Sequence, residues 1–396
     1  MGLLIAPTEN LAAPTAEKHS TQFQQSLADQ SALAVDWLVR SIEACGGQGS
    51  ATYYSRFYRP GRGWAPPYPE TTGYIIPTLL RSAAFFQRSQ LIDLAVQQAD
   101  WIVNLQFPDG ALPGGWVQAN RPLVRSIFNT GQMISGLVAV ADQTQRTKYL
   151  DAAQKAARWL AREVDPRENM WLKHAYIKSY SPAYYSRVCW PMLEVCHRRP
   201  DQEIQTAAVQ VLDTIASWQL TNGAFRNWAF RADASAYTHT IAYTIRGLWE
   251  SGQLLGTAGD RFSKTALRSA DVLRRKLESR GRLAGSYDEQ LRGIFWFTCL
   301  TGNCQLALIW MRIYEVTRDA RFFSAALKAL QFVMARQRRR SLDPNVRGAI
   351  AGSSPFFGRY LTLRYPNWAA KFFVDACLSA HRHLQVLLEH GLCALP

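Results

Sequence analysis

The 396-residue chain lacks most of the short motifs that identify an activity directly. It has no P-loop, no glycine-rich strand-to-helix turn for a dinucleotide, and no DxDD motif of the terpene-cyclase type. No stretch approaches the roughly 20 apolar residues of a membrane span. The N-terminus also lacks the basic segment and the longer apolar segment of a signal peptide. These absences favour a cytoplasmic protein without stable membrane insertion.

The seven cysteines form no CxxC pair, and they stand mostly in apolar stretches where a free cysteine is a small core residue. This usage favours a reducing compartment. Cys196 and His197 are adjacent, as in some zinc enzymes, but the sequence shows no third ligand to accompany them. We therefore expect no metal and no other cofactor.

Positive charge and aromatic side chains are abundant instead. The chain has 45 basic and 30 acidic residues, a formal net charge of +15, together with 13 Trp, 16 Tyr and 18 Phe. The charge favours a polyanionic partner. Buried Tyr and Trp residues often line ligand clefts. Because no nucleic-acid-binding module is recognisable, we expect an anionic partner other than nucleic acid.

A helical pattern recurs along the chain. The segment Thr71–Leu79 returns as Asn129–Leu137, about 58 residues later, and related segments begin at Ser186, Thr240 and Thr301. Each is followed by a second, amphipathic helical stretch before the next copy begins. Repeats of this length, each with two helices, indicate stacked helical hairpins.

The repeat count predicts an all-α fold, an (α/α)6 toroid. Five hairpins begin near residues 73, 131, 186, 240 and 301, and the helix over 367–390 pairs with the helix over 20–45 as the sixth. The inner helices should be apolar on nearly all sides, because both of their faces are covered. Residues 20–396 are expected to form one domain, preceded by a flexible lead-in over residues 1–19.

The connections differ in length, and this difference predicts where a site lies. Turns from inner to outer helices are short, whereas the connections back to the inner helices are long and rich in polar and aromatic residues. Long loops on a rigid scaffold commonly carry binding residues. All of them lead into inner-helix N-termini, whose unpaired N–H groups and dipoles favour anions. We therefore expect an anion-binding pocket at this side of the toroid, called here the loop end.

Three loop-end motifs, Pro69–Tyr74, Asn129–Gln132 and Tyr237–Tyr243, resemble those of the six-hairpin (α/α)6 toroid superfamily. The resemblance covers about residues 20–390, and within the superfamily the chain resembles a bacterial family encoded in exopolysaccharide biosynthesis clusters. Because the superfamily includes glycoside hydrolases, polysaccharide lyases and uronyl epimerases, the resemblance implies a carbohydrate-active protein without selecting a reaction.

Two groups of loop-end residues are candidate catalytic residues. As a glycoside hydrolase acid, Glu70 needs a second carboxylate about 5–5.5 Å away for retention or about 6.5–9.5 Å away for inversion, and Asp288 or Glu289 could supply it. The alternatives are a helix-capping Glu70 and a solvated acid pair. His239 and Tyr243 are the base and proton donor expected of a lyase or C5-epimerase. The alternative is a structural histidine.

Aromatic and polar residues of the six loops complete the expected site. Aromatic rings stack on sugar faces, and arginine can hold a carboxylate through two parallel hydrogen bonds. Asn129 and Arg364 are the expected partners of a uronate carboxylate. The other predicted substrate-binding residues are Tyr68, Tyr74, Trp116, Gln132, His174, Tyr176, Arg187, Tyr237, Trp296, Asn303 and Lys371.

The sequence leaves three functions open. The leading interpretation is an enzyme that cleaves or epimerises an acidic, uronate-type oligosaccharide or polysaccharide. A glycoside hydrolase with a carboxylate pair is the second interpretation. The third comes from another class, a non-catalytic glycan-binding or assembly factor in bacterial polysaccharide metabolism.

Overall fold

The computed structural model describes residues 13–57, 63–177 and 180–390 of the chain, with side chains described from residue 19 onward. Within these ranges, twelve α-helices alternate between an outer and an inner ring. The outer helices are α1 (Ala13–Glu43), α3 (Gln90–Asn104), α5 (Thr147–Arg162), α7 (Gln202–Ser217), α9 (Asp260–Arg280) and α11 (Ala320–Met334). The inner helices are α2 (Pro69–Phe86), α4 (Ile127–Thr144), α6 (Ser186–Arg198), α8 (Thr238–Leu254), α10 (Leu300–Thr317) and α12 (Asn367–Glu389).

The packing of these helices confirms the predicted (α/α)6 toroid. Each inner helix contacts the next one along the ring, and α12 contacts α2, which closes it. The inner helices are buried on all sides, so that in α10 every residue from Leu300 to Met311 is buried. The outer helix α5 instead buries one alanine-rich face and carries its charges on the other.

Three glycines of the repeated segments allow neighbouring inner helices to approach closely. A Cβ atom on Gly73 would lie 2.5 Å from the Met133 Cα atom, and one on Gly302 would lie 2.7 Å from the carbonyl carbon of Thr238. Gly131 meets Val188 in the same way. The repeated Thr-Gly pattern therefore reflects helix packing as well as the start of each inner helix.

Asn367, the first residue of α12, holds the ring closed. Its side-chain amide donates hydrogen bonds to Ser50 Oγ, to the Ala51 carbonyl and to Thr71 Oγ1, each at 2.8–2.9 Å. These partners lie in the loop after α1 and in the first turn of α2. Since α1 also packs along α12, the first and last helices form the sixth hairpin.

Short strands, which the sequence pattern did not predict, connect the long loops. They are β1 (Tyr53–Ser55), β2 (Gly63–Trp64), β3 (Pro113–Gly114), β4 (Val124–Arg125), β5 (Val164–Asp165), β6 (Met170–Trp171), β7 (Ala236–Tyr237), β8 (Ser286–Tyr287), β9 (Gly293–Ile294), β10 (Thr298–Cys299), β11 (Ser353–Ser354) and β12 (Tyr365–Pro366). All pairs are antiparallel, and the two larger sheets have the orders β12-β1-β2 and β7-β8-β9. Strands of two or three residues are too short to produce an alternating sequence pattern. The pairs β1–β12, β7–β8 and β10–β11 join neighbouring loops to one another, whereas the other pairs lie within one loop.

The ends of the chain differ in part from the prediction. The first helix begins at Ala13, earlier than the residue 20 expected from apolar spacing. Residues 1–12 of the predicted lead-in lie outside the described residues, as do residues 391–396. Of the helices in the described ranges, none has both the length and the apolar character needed to cross a membrane.

Candidate functional site

Glu70 lies in the first turn of α2, at the loop end of the ring. Pro69 begins the helix, where its fixed backbone angle suits the first helical position. The Glu70 residue is 9% exposed, and burial raises the pKa of its carboxyl to about 7, against smaller lowering effects of Tyr68 and Arg187. No side chain of the described residues caps the start of α2. Glu70 is therefore a buried carboxyl facing the interior and not the helix cap considered as its alternative.

Three tyrosines surround this carboxyl. The Tyr68 side chain hydrogen-bonds to Glu70 and lies beside the amide of Asn129. Tyr74 follows Glu70 by one helical turn, and its phenol meets that of Tyr243 on α8. Burial, with a smaller contribution from the charge of Glu70, raises the pKa of Tyr74 and Tyr243. The two phenols therefore stay protonated at neutral pH. The Glu70 carboxyl, with a pKa of about 7, can gain or lose a proton there.

Arg187 is the positively charged residue beside Glu70, Tyr68, Tyr74 and Tyr243. Together with His239, these residues are called the cluster here. Arg187 is the second residue of α6 and is 4% exposed, with its guanidinium carbon 4.5 Å from the centre of the Trp190 ring and 5.4 Å from that of Tyr243. Among the described residues it forms no ion pair, and its Nε atom has no hydrogen-bond partner. Its charge lowers the pKa of both Glu70 and His239. An anionic ligand would therefore find an unpaired guanidinium here.

His239 lies in the first turn of α8, next to Tyr243. Its ring centre is 4.3 Å from that of Tyr243, and its Nδ1 atom is 2.9 Å from Gln305 Oε1. Burial lowers the pKa of His239 to about 4, so the imidazole is neutral at physiological pH. When the Nδ1–H group donates to Gln305, Nε2 is left as an acceptor.

Two residues that contact this cluster were not among the predicted site residues. Gln305 fixes the ring of His239, and Tyr360 packs 5.3 Å from the same ring while accepting a hydrogen bond from Trp368 Nε1. Gln305 directly precedes the apolar run Leu306–Met311 of α10, and a polar residue beside such a run is the sequence signal that could have identified it. Tyr360 lies on a long loop and has no comparable signal.

The predicted acid pair lies elsewhere. Asp288 is in the turn between β8 and β9, where its carboxylate accepts hydrogen bonds from the backbone N–H groups of Gln290 and Arg292 and from Arg292 Nε. Through these hydrogen bonds the Asp288 carboxylate stabilises the turn. Glu289 is half-buried and acts electrostatically on Tyr180. The structure therefore does not bring Asp288 to Glu70 as a second catalytic carboxylate, because the hairpin commits it to the turn.

Several predicted binding residues form an aromatic rim around the loop end. Tyr176 is 75% exposed and Trp296 is 47% exposed, with the Arg359 guanidinium 5.7 Å from the Trp296 ring. Trp116 packs against Tyr53. These side chains are free to stack on a sugar, as predicted from their type, although they do not belong to the buried cluster.

Three other predicted residues serve mainly to position the loops. Tyr237 donates a hydrogen bond to the Arg359 carbonyl, and Arg364 lies with its guanidinium 5.0 Å from the Tyr53 ring centre. The carbonyl of His174 accepts the N–H group of Ile127, which fixes its loop to the start of α4. His174 and Arg364 therefore lie on the rim, and Arg187 occupies the central position expected of Arg364.

The last three predicted residues are buried within inner helices. Gln132 donates to the backbone carbonyl of Arg187 and so supports the position of that residue. Asn303 donates to the Cys299 carbonyl within its own first turn. The Lys371 ammonium lies 2.8 Å from Asp375 Oδ2. Gln132 and Lys371 both contact the cluster, since the Lys371 ammonium also lies 5.3 Å from the centre of the Tyr74 ring.

A large cavity lies in the other half of the ring. It measures about 730 Å³ and is lined by the later turns of all six inner helices. Tyr74, Arg187 and Tyr243 line its inner end, whereas Glu70 and His239 do not line it. Because these three side chains also lie beside Glu70 or His239, we call them the wall between the cavity and those two residues. At the other end of the cavity lie Phe85 and Arg382, which are exposed. The cavity therefore opens at the side of the ring where short turns join inner to outer helices, called here the short-turn end. The sequence predicted a pocket at the opposite side, the loop end.

Metal ligands are not grouped in the part of the chain that the structure describes. There, no three His, Cys, Asp or Glu side chains come close enough together to hold a metal ion. Cys196, considered above with His197, donates from Sγ to the Asp201 carbonyl at 3.6 Å. That contact joins the end of α6 to the start of α7.

Solved structures of other proteins have the same fold as this chain. No protein-family profile matches the chain, and no curated protein matches its sequence. Solved structures do match. A cellobiose 2-epimerase from Bacillus thermoamylovorans B4167 has a TM-score of 0.73 at 11% identity, with 92% of this chain and 100% of that chain covered.

Two further structures give the same result. An unsaturated glucuronyl hydrolase specific for heparin has a TM-score of 0.70 at 13% identity, with 91% of this chain and 98% of that chain covered. An α-amylase from Clostridium perfringens has a TM-score of 0.65 at 14% identity, with 88% and 97% covered. At these identities the likeness establishes the (α/α)6 toroid fold, which is shared by enzymes that act on different saccharides.

Proposed function

We propose that this protein is a carbohydrate-active enzyme that transfers a proton at an acidic, uronate-type sugar. Glu70 is the group that exchanges the proton, and Arg187 is the partner of the sugar carboxylate. One observation carries the proposal: a buried carboxyl with a pKa of about 7 shares its cluster with a buried guanidinium that has no ion-pair partner among the described residues. The glucuronyl hydrolases and cellobiose 2-epimerases of the same fold support a saccharide substrate.

The chemistry follows from the positions of these groups. Ionised Glu70 accepts the proton on C5 of the uronate, next to its carboxylate, and the electron pair moves into the carboxylate as an enediolate. Arg187 stabilises the added negative charge. Loss of the substituent on C4 then gives an unsaturated uronate, whereas return of a proton to the opposite face of C5 gives the epimer. Tyr243, which is still protonated, is a donor for either outcome.

His239 has a different role from the base expected of it. A group with a pKa of about 4 is a weak base near pH 7, whereas Glu70 is matched to that pH. The hydrogen bond that the His239 Nδ1–H group donates to Gln305 Oε1 fixes the imidazole ring and leaves Nε2 as an acceptor. We assign His239 to binding a sugar hydroxyl.

The test is a pair of measurements on oligosaccharides of uronic acids. Elimination is expected to raise the ultraviolet absorbance of an unsaturated uronate, and epimerisation is expected to place solvent deuterium at C5 without cleavage. Glu70→Gln should lower the rate by about 10²–10⁴-fold, as removal of a general base does. Asp288→Asn is the matched control, with a rate near that of the wild type. Full activity of Glu70→Gln would rule out the assigned role.

A second candidate is hydrolysis of an already unsaturated uronyl sugar. Glu70 is the one carboxyl in the described cluster, and protonation of a carbon–carbon double bond needs one acid and no carboxylate pair. Protonated Glu70 could supply that proton below pH 7. With an unsaturated disaccharide as substrate, the ultraviolet absorbance would then fall instead of rising, so the sign of the change separates the two reactions.

The biological setting belongs to the same proposal. The resemblance of the loop-end motifs supports a role in exopolysaccharide metabolism, and the cysteine usage supports a cytoplasmic location. The formal net charge of +15 supports an acidic saccharide as partner. Deleting the gene and analysing the uronate content of the extracellular polysaccharide tests this setting, and an unchanged polysaccharide would contradict it.

A further inference from the structure

The cavity of about 730 Å³ has an excess of positive charge. Seven basic and three acidic side chains line it. Several of the acids that pair with these cations are shared: Asp375 accepts from both Arg81 and Lys371. Two acids outside the lining are shared as well, since Glu250 pairs with Arg246 and Arg312, and Glu315 pairs with Arg312 and Arg382. Asp142 pairs with Arg198. The protein therefore does not supply one anion for each cation around the cavity.

The dipoles of the inner helices account for only some of these cations. Basic side chains in the last turn of a helix are favourable, which explains Arg198 at the end of α6. Arg187 stands in the first turn of α6, where the dipole is positive. A buried cation at that position is disfavoured both by desolvation and by the helix dipole.

We propose that the cavity is a second binding site, entered from the short-turn end, for a small molecule that carries a phosphate or carboxylate group, with Arg187 as its anchor. An anion at this position would compensate the unpaired guanidinium and would also lie near the positive end of α6. The inference shares Arg187 with the proposed function but does not depend on proton transfer by Glu70, because the anion would approach the guanidinium from the cavity side of Tyr74 and Tyr243.

The shape and lining of the cavity define the ligand class. A volume of about 730 Å³ is that of a small-molecule pocket and far exceeds a single inorganic ion. A guanidinium binds an oxyanion through two hydrogen bonds. Trp190 offers an aromatic surface beside Arg187 and Arg246. A phosphorylated or carboxylated sugar satisfies these features, with the oxyanion as the shared chemistry.

Glu194 is the side chain that opposes an anion here. It lines the cavity, and burial raises the pKa of its carboxyl to about 7. Arg198 and Arg187 act on it from α6, Ser135 from α4 and Glu250 from α8. Replacing Glu194 by glutamine removes the repulsion while keeping the size of the side chain.

Isothermal titration calorimetry with glucose 6-phosphate and with glucuronate tests the proposal, with glucose as the neutral control. At least one of the two anions should bind the wild type saturably, with glucose giving no saturable signal. Arg187→Met should weaken binding by about 10–100-fold, because a charge-assisted contact is lost. Glu194→Gln should tighten it several-fold. Phosphate-only and carboxylate-only binding would each identify the group that the site prefers.

Two variants show on which side of the wall the ligand lies. Ala139→Trp fills the cavity from α4 and should abolish binding, whereas Ala139→Ser should not. Glu70→Gln, on the loop side, should leave the affinity within about twofold of the wild type. No saturable binding of either anion would overturn the proposal, and so would unchanged binding by Ala139→Trp. If Arg187→Met does not fold, Glu194→Gln provides the test. Anion binding by Glu194→Gln that is no tighter than that of the wild type would then contradict the proposal.

Discussion

The buried carboxyl of Glu70 links folding stability to pH. Its pKa rises from the ordinary value of 4.5 to about 7 because burial disfavours the ionised form. Between these two values the folded state holds a proton that the unfolded state has lost, so the contribution of Glu70 to stability falls as pH rises from 4.5 to 7. Above pH 7 this loss is constant, on the order of 3 kcal/mol.

Glu70→Gln should therefore be more stable than the wild type at pH 8 and have nearly equal stability at pH 4.5. Urea denaturation at both pH values, with Asp288→Asn as the control for general charge effects, measures the difference. If the difference in free energy of unfolding between Glu70→Gln and the wild type does not increase with pH, the carboxyl ionises in the folded state as easily as in the unfolded state.

Arg187 should limit stability for a related reason. Arg187 has no ion-pair partner in the described part of the chain, and a buried guanidinium without one keeps its desolvation penalty. Arg187→Met is therefore expected to raise the free energy of unfolding by at least about 1 kcal/mol. Arg246→Met is the contrasting variant, because it removes a partner of the buried Glu250 and should lower stability. Denaturation in a buffer without phosphate or carboxylate avoids stabilisation by a bound anion. A lower free energy of unfolding for Arg187→Met than for the wild type would indicate that the Arg187 guanidinium has a stabilising partner in the folded protein.

Residue type and loop position predicted much of the cluster. Glu70, His239 and Tyr243 were identified because each stands at or near the start of an inner helix. The sequence did not show that Asp288 holds the β8–β9 turn, because two-residue strands leave no periodic pattern. The division of roles between Glu70 and His239 depends on burial, which sequence does not specify.

The inner helices pack through glycine, and this can be tested at Gly302. Alanine normally stabilises a helix relative to glycine by about 1 kcal/mol. A Cβ atom on Gly302 would instead lie 2.7 Å and 2.8 Å from backbone atoms of Thr238 and His239. Gly302→Ala should therefore lower the free energy of unfolding, by roughly 1–3 kcal/mol.

Thermal unfolding followed by circular dichroism measures the effect of Gly302→Ala. Because the obstructing atoms belong to the first turn of α8, the variant should also shift the NMR signals of His239. Gly46→Ala is a control with open space around the new Cβ, where only the backbone conformation at φ 62° is strained. A stabilised Gly302→Ala would show that the helices separate at little cost.

The repeats predicted the helices well, but they did not predict the cavity. Apolar inner helices and long polar loops gave the ring and its order from sequence alone. Whether the axis of the ring is filled depends on which side chains of six helices meet there. Tyr74, Arg187 and Tyr243 come from three separate repeats, so no local pattern shows that together they form a wall.

At the scale of the whole molecule, Asn367 should matter more than an asparagine with local bonds. Asn367→Ala removes three hydrogen bonds to buried groups in two other segments and should cost about 3 kcal/mol. Asn303→Ala loses one bond within its own turn and should cost about 1 kcal/mol. Chemical denaturation of both variants compares them. Equal losses would mean that Asn367 has no special part in closing the ring.

The pairing of α1 with α12 gives the ring no structural beginning. Both the end of α12 and the start of α1 lie at the short-turn end, where the other hairpins turn. A circular permutant that joins Glu389 to Ala13 through a short linker, with new termini between Gln145 and Arg146, should fold to the same toroid. The order of the helices around the axis, and not the place where the chain starts, would then define this protein.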